Sequence, residues 1–331
     1  MGSGRSIYDV GDMRVVRHLA HHGRRLGPAV LTLGNFDGAH LGHQAIIRGA
    51  VGRARDVGAQ CVALTFEPHP VAVLAPDRAP LMIQTLHDRL ASLRDLGVDV
   101  TVLQRFTLDF AGLDPEAFVR DFLLRHLDVV HAVVGYNVNF GRARAGSAET
   151  LRTLGARLGF GVDVVGPITA PGDDEQVSST RLREMIQAGD MPGARRLLGR
   201  PYALRGRVVV GDRRGRTLGF PTANLHVRRG LLLPPDGVYA VAVELDGRAH
   251  QGVLNIGMRP TFGGRRRTVE AHVLDFDGNL YRRWLVVRVI ERLRGEAAFT
   301  GPEALRAAIA ADVARARGVL AGDVALTPRA S

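Results

Sequence analysis

The stretch L-G-N-F-D-G-A-H-L-G-H, Leu33 to His43, puts two histidines, an aspartate, a phenylalanine and three glycines close together. Imidazoles three apart could ligate a metal, abstract a proton or stabilise charge around a phosphate. Zinc needs three or four protein ligands, and the sequence has neither an H-E-x-x-H helix nor a cysteine pair to complete such a set. The stretch also falls between an apolar run and a run of helical spacing, where free backbone N–H groups and the helix dipole favour an anion. Gly34, Gly38 and Gly42 let the backbone approach that anion closely. Gly34, Phe36, Asp37, His40 and His43 are therefore candidate ligands of a bound phosphate. The imidazoles would supply charge to a transition state.

A second stretch, G-R-V-V-V-G-D-R-R-G-R-T-L-G-F-P-T-A-N-L from Gly206 to Leu225, carries different chemistry. Gly211 and Gly215 open a loop able to wrap phosphates with main-chain donors. Thr222 and Asn224, two apart in an extended segment, put a hydroxyl and an amide on one side. Those neutral oxygens suit Mg²⁺ held jointly with the phosphates of ATP. Further on, T-V-E-A-H-V-L-D-F places Glu270 inside a strand, where a carboxylate faces either solvent or a site.

The elements that must position these groups come in two blocks, expected as domains 1–185 and 186–325. In the first block strands alternate with helices: 29–34, helix 42–58, 60–66, helix 86–97, 98–106, helix 114–127, 129–135, helix 148–159 and 160–166. That alternation predicts an α/β domain with a mostly parallel, Rossmann-like sheet. Its ligands belong at the carboxyl edge, where G-N-F-D-G-A-H-L-G-H, E-P-H-P and G-Y-N-V-N-F-G-R-A-R-A-G-S each follow a strand. A helical stretch containing Gly189 and Pro192 reads as the join. From Ala203 to about Arg294 five short strands separated by glycine and proline turns predict a small antiparallel barrel, closed by a C-terminal amphipathic helix.

Composition excludes several classes. The net charge of +11 invites a nucleic-acid partner, but every basic residue is arginine and none is lysine. That pattern follows genome composition rather than a partner, and aromatics for base stacking are sparse. The missing lysine excludes a P-loop NTPase. Cys61 is the single cysteine, so there is no disulfide framework. No apolar run is long enough to span a bilayer and no leader pattern opens the sequence, so a cytoplasmic protein without a membrane partner is expected. Oligomeric state is open.

The H-x-G-H arrangement is shared by nucleotidyltransferases and class I aminoacyl-tRNA synthetases. G-N-F-D-G-A-H-L-G-H, T-F-E-P-H-P, V-V-G-Y-N-V-N-F-G-R-A-R-A-G-S and V-S-S-T-R-L-R in that order resemble the adenylyltransferase half of the bacterial bifunctional riboflavin kinase/FAD synthetase family. G-D-x-x-G-R-x-L-G-F-P-T-A-N and N-I-G-x-R-P-T-F resemble its kinase half. The resemblance implies that riboflavin is phosphorylated by ATP to FMN, and FMN adenylylated by a second ATP to FAD and pyrophosphate, both with Mg²⁺. It assigns triphosphate binding to Ser179, Thr180 and Arg183, an ATP-site role to Asn137, and the kinase base to Glu270. Asn255 and Arg259 fall near the flavin. Two positions depart from the pattern: Val138 stands for an aromatic and Gln176 for an arginine, with Arg142, Arg144 and Arg181 as nearby cations. These departures leave open a paralogue with altered adenylyl transfer, and the charge leaves open a non-catalytic RNA-binding homologue.

Overall fold

A computed structural model describes residues 7–19, 23, 25–210, 219–261 and 264–322. The chain divides into two compact units, one of residues 1–81 and 86–178, the other of residues 82–85 and 179–331.

The first unit is a seven-stranded sheet in the order β1-β2-β5-β4-β3-β6-β7. Its strands are β1 (Ile7–Val10), β2 (Met13–Arg17), β3 (Leu26–Leu33), β4 (Gln60–Glu67), β5 (Val100–Arg105), β6 (Leu127–Gly135) and β7 (Gly161–Val165). All pairings are parallel except the β1–β2 hairpin. The expected parallel sheet is present, and the hairpin at its edge is an addition that the sequence reading did not contain. Alternation along β3 explains its burial. Ala29, Leu31 and Leu33 enter one core with Val62, Leu64 and Phe66, while Val30 enters the other with Cys61 and Ala63. A strand covered on both faces reads as a continuous apolar run.

Helix α1 (Leu41–Asp56) follows β3 and buries Ile47, Ala50, Val51 and Ala54, an i, i+3, i+4 stripe. Helix α2 (Leu86–Asp95) buries Arg89, Leu90 and Leu93. The helical segment over 115–126 contains a π turn at Phe118–Leu123. Helix α3 (Ala148–Leu158) starts on a Ser147 cap and stops at Gly159 in the left-handed region.

In the second unit the expected single helical stretch is two helices, α4 (Ser179–Ala188) and α5 (Met191–Leu198). Gly189 at φ 79° breaks the run, and the Asp190 carboxylate caps the next helix by accepting from Gly193 N–H at 2.8 Å. The closed barrel has six strands in the order β10-β11-β12-β9-β8-β13. They are β8 (Tyr202–Val209), β9 (Ala223–Val227), β10 (Gly237–Leu245), β11 (Arg248–Thr261), β12 (Gly264–Val273) and β13 (Trp284–Arg294). The sixth, β9, carries the end of P-T-A-N and was read from sequence only as an extended segment.

Helix α6 (Pro302–Leu320) packs Ala316 and Leu320 on Val238, Ala240, Val253 and Ile290, which marks that face as the outer wall of the barrel. A second tie fixes the helix. Asp312, 2% exposed, accepts from Arg294 Nε at 3.0 Å and NH2 at 2.7 Å and also meets Arg315.

Two outcomes follow from this packing. Removing one partner of a buried ion pair leaves the other uncompensated, so Asp312→Ala should lower the unfolding free energy of the barrel by about 3 kcal/mol in denaturant titration. Burial, then the charge of Asp99, pushes the Cys61 thiol up to about 12. Iodoacetamide at pH 8 should therefore leave intact protein unmodified by mass and label Cys61 once guanidinium unfolds it.

Candidate active sites

Strand order places the first site. From β3 the chain runs by α1 to β4 and β5 on one side, then returns to set β6 against the opposite edge of β3. The order reverses between β3 and β6, and ligands of open parallel sheets bind in the crevice outside the carboxyl ends at such a point. Into that point project the turn 34–40 after β3 and Asn137 just after β6.

The turn is tightly wound. Phe36 at φ 51° and Ala39 at φ 42° sit where L residues are disfavoured, around Gly38 at φ 88°. Such residues cost on the order of 1–3 kcal/mol each and persist only where the surroundings hold them. Here Phe36 and Asp37 are each 1% exposed. A Cβ on Gly34 would lie 3.1 Å from the Phe36 ring, and one on Gly42 3.2 Å from the His40 ring.

His40 caps α1, its Nδ1 accepting from His43 N–H at 3.3 Å. An Nδ1 that accepts leaves the proton on Nε2, so a neutral His40 offers an Nε2–H donor. The His40 and His43 rings stack with centroids 3.7 Å apart, and the Phe36 ring meets His43 edge-on at 5.4 Å.

Asn137 lies at the mouth of the same crevice, its Oδ1 3.2 Å from the position a Cβ on Gly135 would take. Val138, the departure from the aromatic pattern, packs against the core that contains Phe140. Gln176, the departure from arginine, accepts a hydrogen bond from Tyr136 OH at 2.6 Å. Ser179 and Thr180 open α4 in the second unit, and Arg183 NH1 donates to Ser179 O at 3.2 Å.

Under the turn lies a network that sequence reasoning missed. Arg89, 1% exposed, donates through NH1 to Asn35 O at 3.2 Å and through NH2 to Phe66 O at 3.2 Å and Glu67 Oε2 at 2.7 Å. Thr65 Oγ1 donates to the same Asn35 carbonyl at 3.2 Å, and the Asn35 amide lies 3.2 Å from His69 Nε2. An arginine on an amphipathic helix carries no signal of this in a chain that uses arginine everywhere.

The second site is built by strand register. Glu270 on β12 faces Asn224 on β9 and Asn255 on β11, and Asn255 faces Val238 on β10. Directly opposed residues share a face of a sheet. Val238 belongs to the outer wall, so Asn224, Glu270 and Asn255 form a row across it. Thr222 Oγ1 lies 3.4 Å from Glu270 Oε2 and Thr268 Oγ1 3.4 Å from Glu270 Oε1, the Thr268 proton being shared with the Gly257 carbonyl at the same distance. His272 donates from Nδ1 to the Pro221 carbonyl at 2.8 Å, which ties the P-T-A-N segment to β12. A Cβ on Gly257 would fall 2.0 Å from Glu296 Oε1, so that carboxylate closes over the N-I-G segment.

Thr268 and His272 were not among the expected site residues, although the period of two about Glu270 points to both. Gly211 and Gly215 lie outside the described residues; Arg259 lies on β11, its side chain outside them too. The described residues contain no cluster of three or more His, Cys, Asp or Glu able to hold a metal. A Mg²⁺ site of hydroxyl and amide oxygens is of another kind, and Thr222 and Asn224, two apart beside the Glu270 carboxylate, match the hard oxygen donors that ion takes.

The chain is similar to known proteins along most of its length. The FAD synthetase family model matches residues 23–181 and the riboflavin kinase family model residues 198–320. The bifunctional riboflavin kinase/FMN adenylyltransferase of Escherichia coli K12 is 39% identical over 87% of this chain and 91% of its own. Its namesake from Pseudomonas fluorescens is 39% identical over 93% and 98%, and that from Bacillus subtilis 168 is 37% identical over 86% and 90%. A crystal structure from Streptococcus pneumoniae, described as a macrolide-efflux protein, superposes with a TM-score of 0.83 at 30% identity, covering 92% of this chain and 98% of that one. No described helix of the present chain is long and apolar enough to cross a membrane. With both family models matched in order and relatives aligned over most of its length, the chain belongs to the bifunctional riboflavin kinase/FMN adenylyltransferase family.

Proposed function

We propose that this chain phosphorylates riboflavin on the outer wall of its barrel and adenylylates FMN at the switch point of its parallel sheet. The observation that carries the reading is Glu270 set in register between Asn224 and Asn255, with a threonine hydroxyl on each carboxylate oxygen. An alcohol is a poor nucleophile until its proton leaves, so a kinase acting on a ribityl hydroxyl needs a base. Glu270 takes that proton as the hydroxyl oxygen attacks the γ-phosphorus of ATP. The bond to the β–γ bridging oxygen breaks, and ADP departs. Thr222 and Thr268 orient the carboxylate, and on the sequence motif Asn255 and Arg259 are assigned to the flavin. Thr222 and Asn224 would hold Mg²⁺, which when bound offsets the charge of the phosphates, and Gly211 and Gly215 belong to the loop proposed to cover them.

Adenylyl transfer has the opposite requirement. The FMN phosphate is already ionised at neutral pH, so its oxygen attacks the α-phosphorus of ATP without a base and pyrophosphate leaves. What the site must supply is alignment and positive potential. The N–H groups at the start of α1, the Nε2–H of His40 and the His43 ring are suited to that, with Gly34, Phe36 and Asp37 shaping the turn and Asn137 at its mouth. On the sequence motif we also assign Ser179, Thr180 and Arg183 to the triphosphate. A single, buried cysteine suits the reducing cytoplasm.

Purified protein given riboflavin, ATP and Mg²⁺ should yield FMN and then FAD on chromatographic separation, and a chelator should stop both steps. Glu270→Gln should lower FMN formation about 10³-fold while FMN is still converted to FAD. His43→Ala should do the converse, lowering FAD formation about 10²-fold with FMN production intact. Loss of both steps in either folded variant would defeat the division of labour.

A further inference from the structure

We propose that Arg89 is the positioning residue of adenylyl transfer, holding the strained turn that delivers His40 and His43. The proposal rests on the switch-point site being the adenylylation site. Strands β3 and β4 run in parallel register as far as Leu33 opposite Leu64, and the ladder makes one more bond, Gly34 N–H to Leu64 O at 3.1 Å. Beyond it the two segments diverge: β4 continues to Glu67 paired with β5, whereas G-N-F-D-G leaves the β3–β4 ladder and is no longer fixed by strand pairing. The Arg89 guanidinium spans the gap with donors on Asn35 O, Phe66 O and Glu67 Oε2.

The Asn35 contact is the consequential one. That carbonyl lies in the peptide plane between Asn35 and Phe36, and φ of Phe36 is rotation about the bond leaving that plane. Arg89 NH1 and Thr65 Oγ1 grip the same oxygen, each at 3.2 Å. Together they pin the plane from which the chain turns to φ 51° at Phe36 and then to Gly38, Ala39 and the His40 cap. A planar guanidinium can serve two carbonyls and a carboxylate at once, whereas an ammonium on a flexible stem is a point donor. At 1% exposure Arg89 acts through the turn and does not touch substrate.

The test uses the full chain with Arg89→Met, Arg89→Lys and Thr65→Val, each assayed well below its melting temperature and with native circular dichroism. FMN-to-FAD conversion and riboflavin phosphorylation are measured on the same preparations. Misplacing reacting groups by about 1 Å costs roughly 10²-fold in rate. Arg89→Met should therefore lower kcat for FAD formation about 100-fold, with KM for FMN within about twofold and riboflavin phosphorylation unchanged. Arg89→Lys should recover less than about a tenth of the lost rate, and Thr65→Val should lower kcat about fivefold. A folded Arg89→Met or Arg89→Lys within about threefold of wild-type kcat overturns the proposal. If Arg89→Met does not fold, Thr65→Val decides: its expected loss supports the proposal and an unchanged kcat overturns it. A wild-type protein that makes no FAD from FMN defeats the underlying assignment instead.

Discussion

A parallel strand buried on both faces can satisfy its backbone only along its ladder, and it must leave the sheet where that ladder ends. Strand β3 is such a strand, and the first unit is arranged around its last residue. The chain has to turn from a fully bonded strand into a helix whose first N–H groups have no intrahelical partner. It does so through Phe36, Gly38 and Ala39 at positive φ, with His40 as the cap. Among those N–H groups that of His43 is capped by His40 Nδ1, and N–H groups at a helix start are suited to an anion. The reversal of strand order between β3 and β6 keeps the space in front of them open.

The barrel solves a different problem by different means. Closure leaves no edge strand at which a site could form by divergence, so the site proposed for it draws on the outer row of a continuous wall. Register alone aligns Asn224, Glu270 and Asn255, and the period of two adds Thr222, Thr268 and His272 along the same face. A base needs a side chain of defined orientation, and a strand interior gives that better than a turn does. Charge stabilisation of an incoming phosphate needs oriented N–H groups, and a helix start provides those. Each unit has the kind of site that its reaction demands.

What the sequence made legible follows the same division. Groups placed by periodicity were readable: the parallel core strands, the barrel, and Glu270 as a charged residue within an apolar alternation. The β1–β2 hairpin was missed because I-Y-D-V and M-R-V-V-R are short and mixed in polarity, and are ordered by pairing, β1 with β2 and β2 with β5. Strand β9 was missed because A-N-L-H-V is too short to declare itself, and its pairing with β8 and β12 supplies the missing order. Gln176 looked like a lost cation in sequence; its partnership with Tyr136 OH could only be seen once Tyr136 and the 168–177 segment were brought together.

Arginine content also takes on a different meaning in three dimensions. A charge of +11 spread over a chain without lysine could signal a polyanionic partner. Yet several of these guanidiniums are structural. Arg89 ties two loops beneath the turn, Arg294 anchors α6 through Asp312, Arg267 pairs with Asp236, and Arg53 pairs with Asp163 on the first sheet. Arg53 and His131 together hold the Asp163 carboxyl below its ordinary value against the opposing effect of burial. Each uses the fork geometry to bind more than one acceptor or to satisfy a partly buried carboxylate, which a lysine would do less well. A chain whose Lys and Arg positions are all arginine thus has a cross-linking side chain at many places, and net charge becomes a poor guide to the partner. What each guanidinium does is decided by where its acceptors lie: beneath the turn after β3 for Arg89, on the first sheet for Arg53 and in the barrel unit for Arg267 and Arg294.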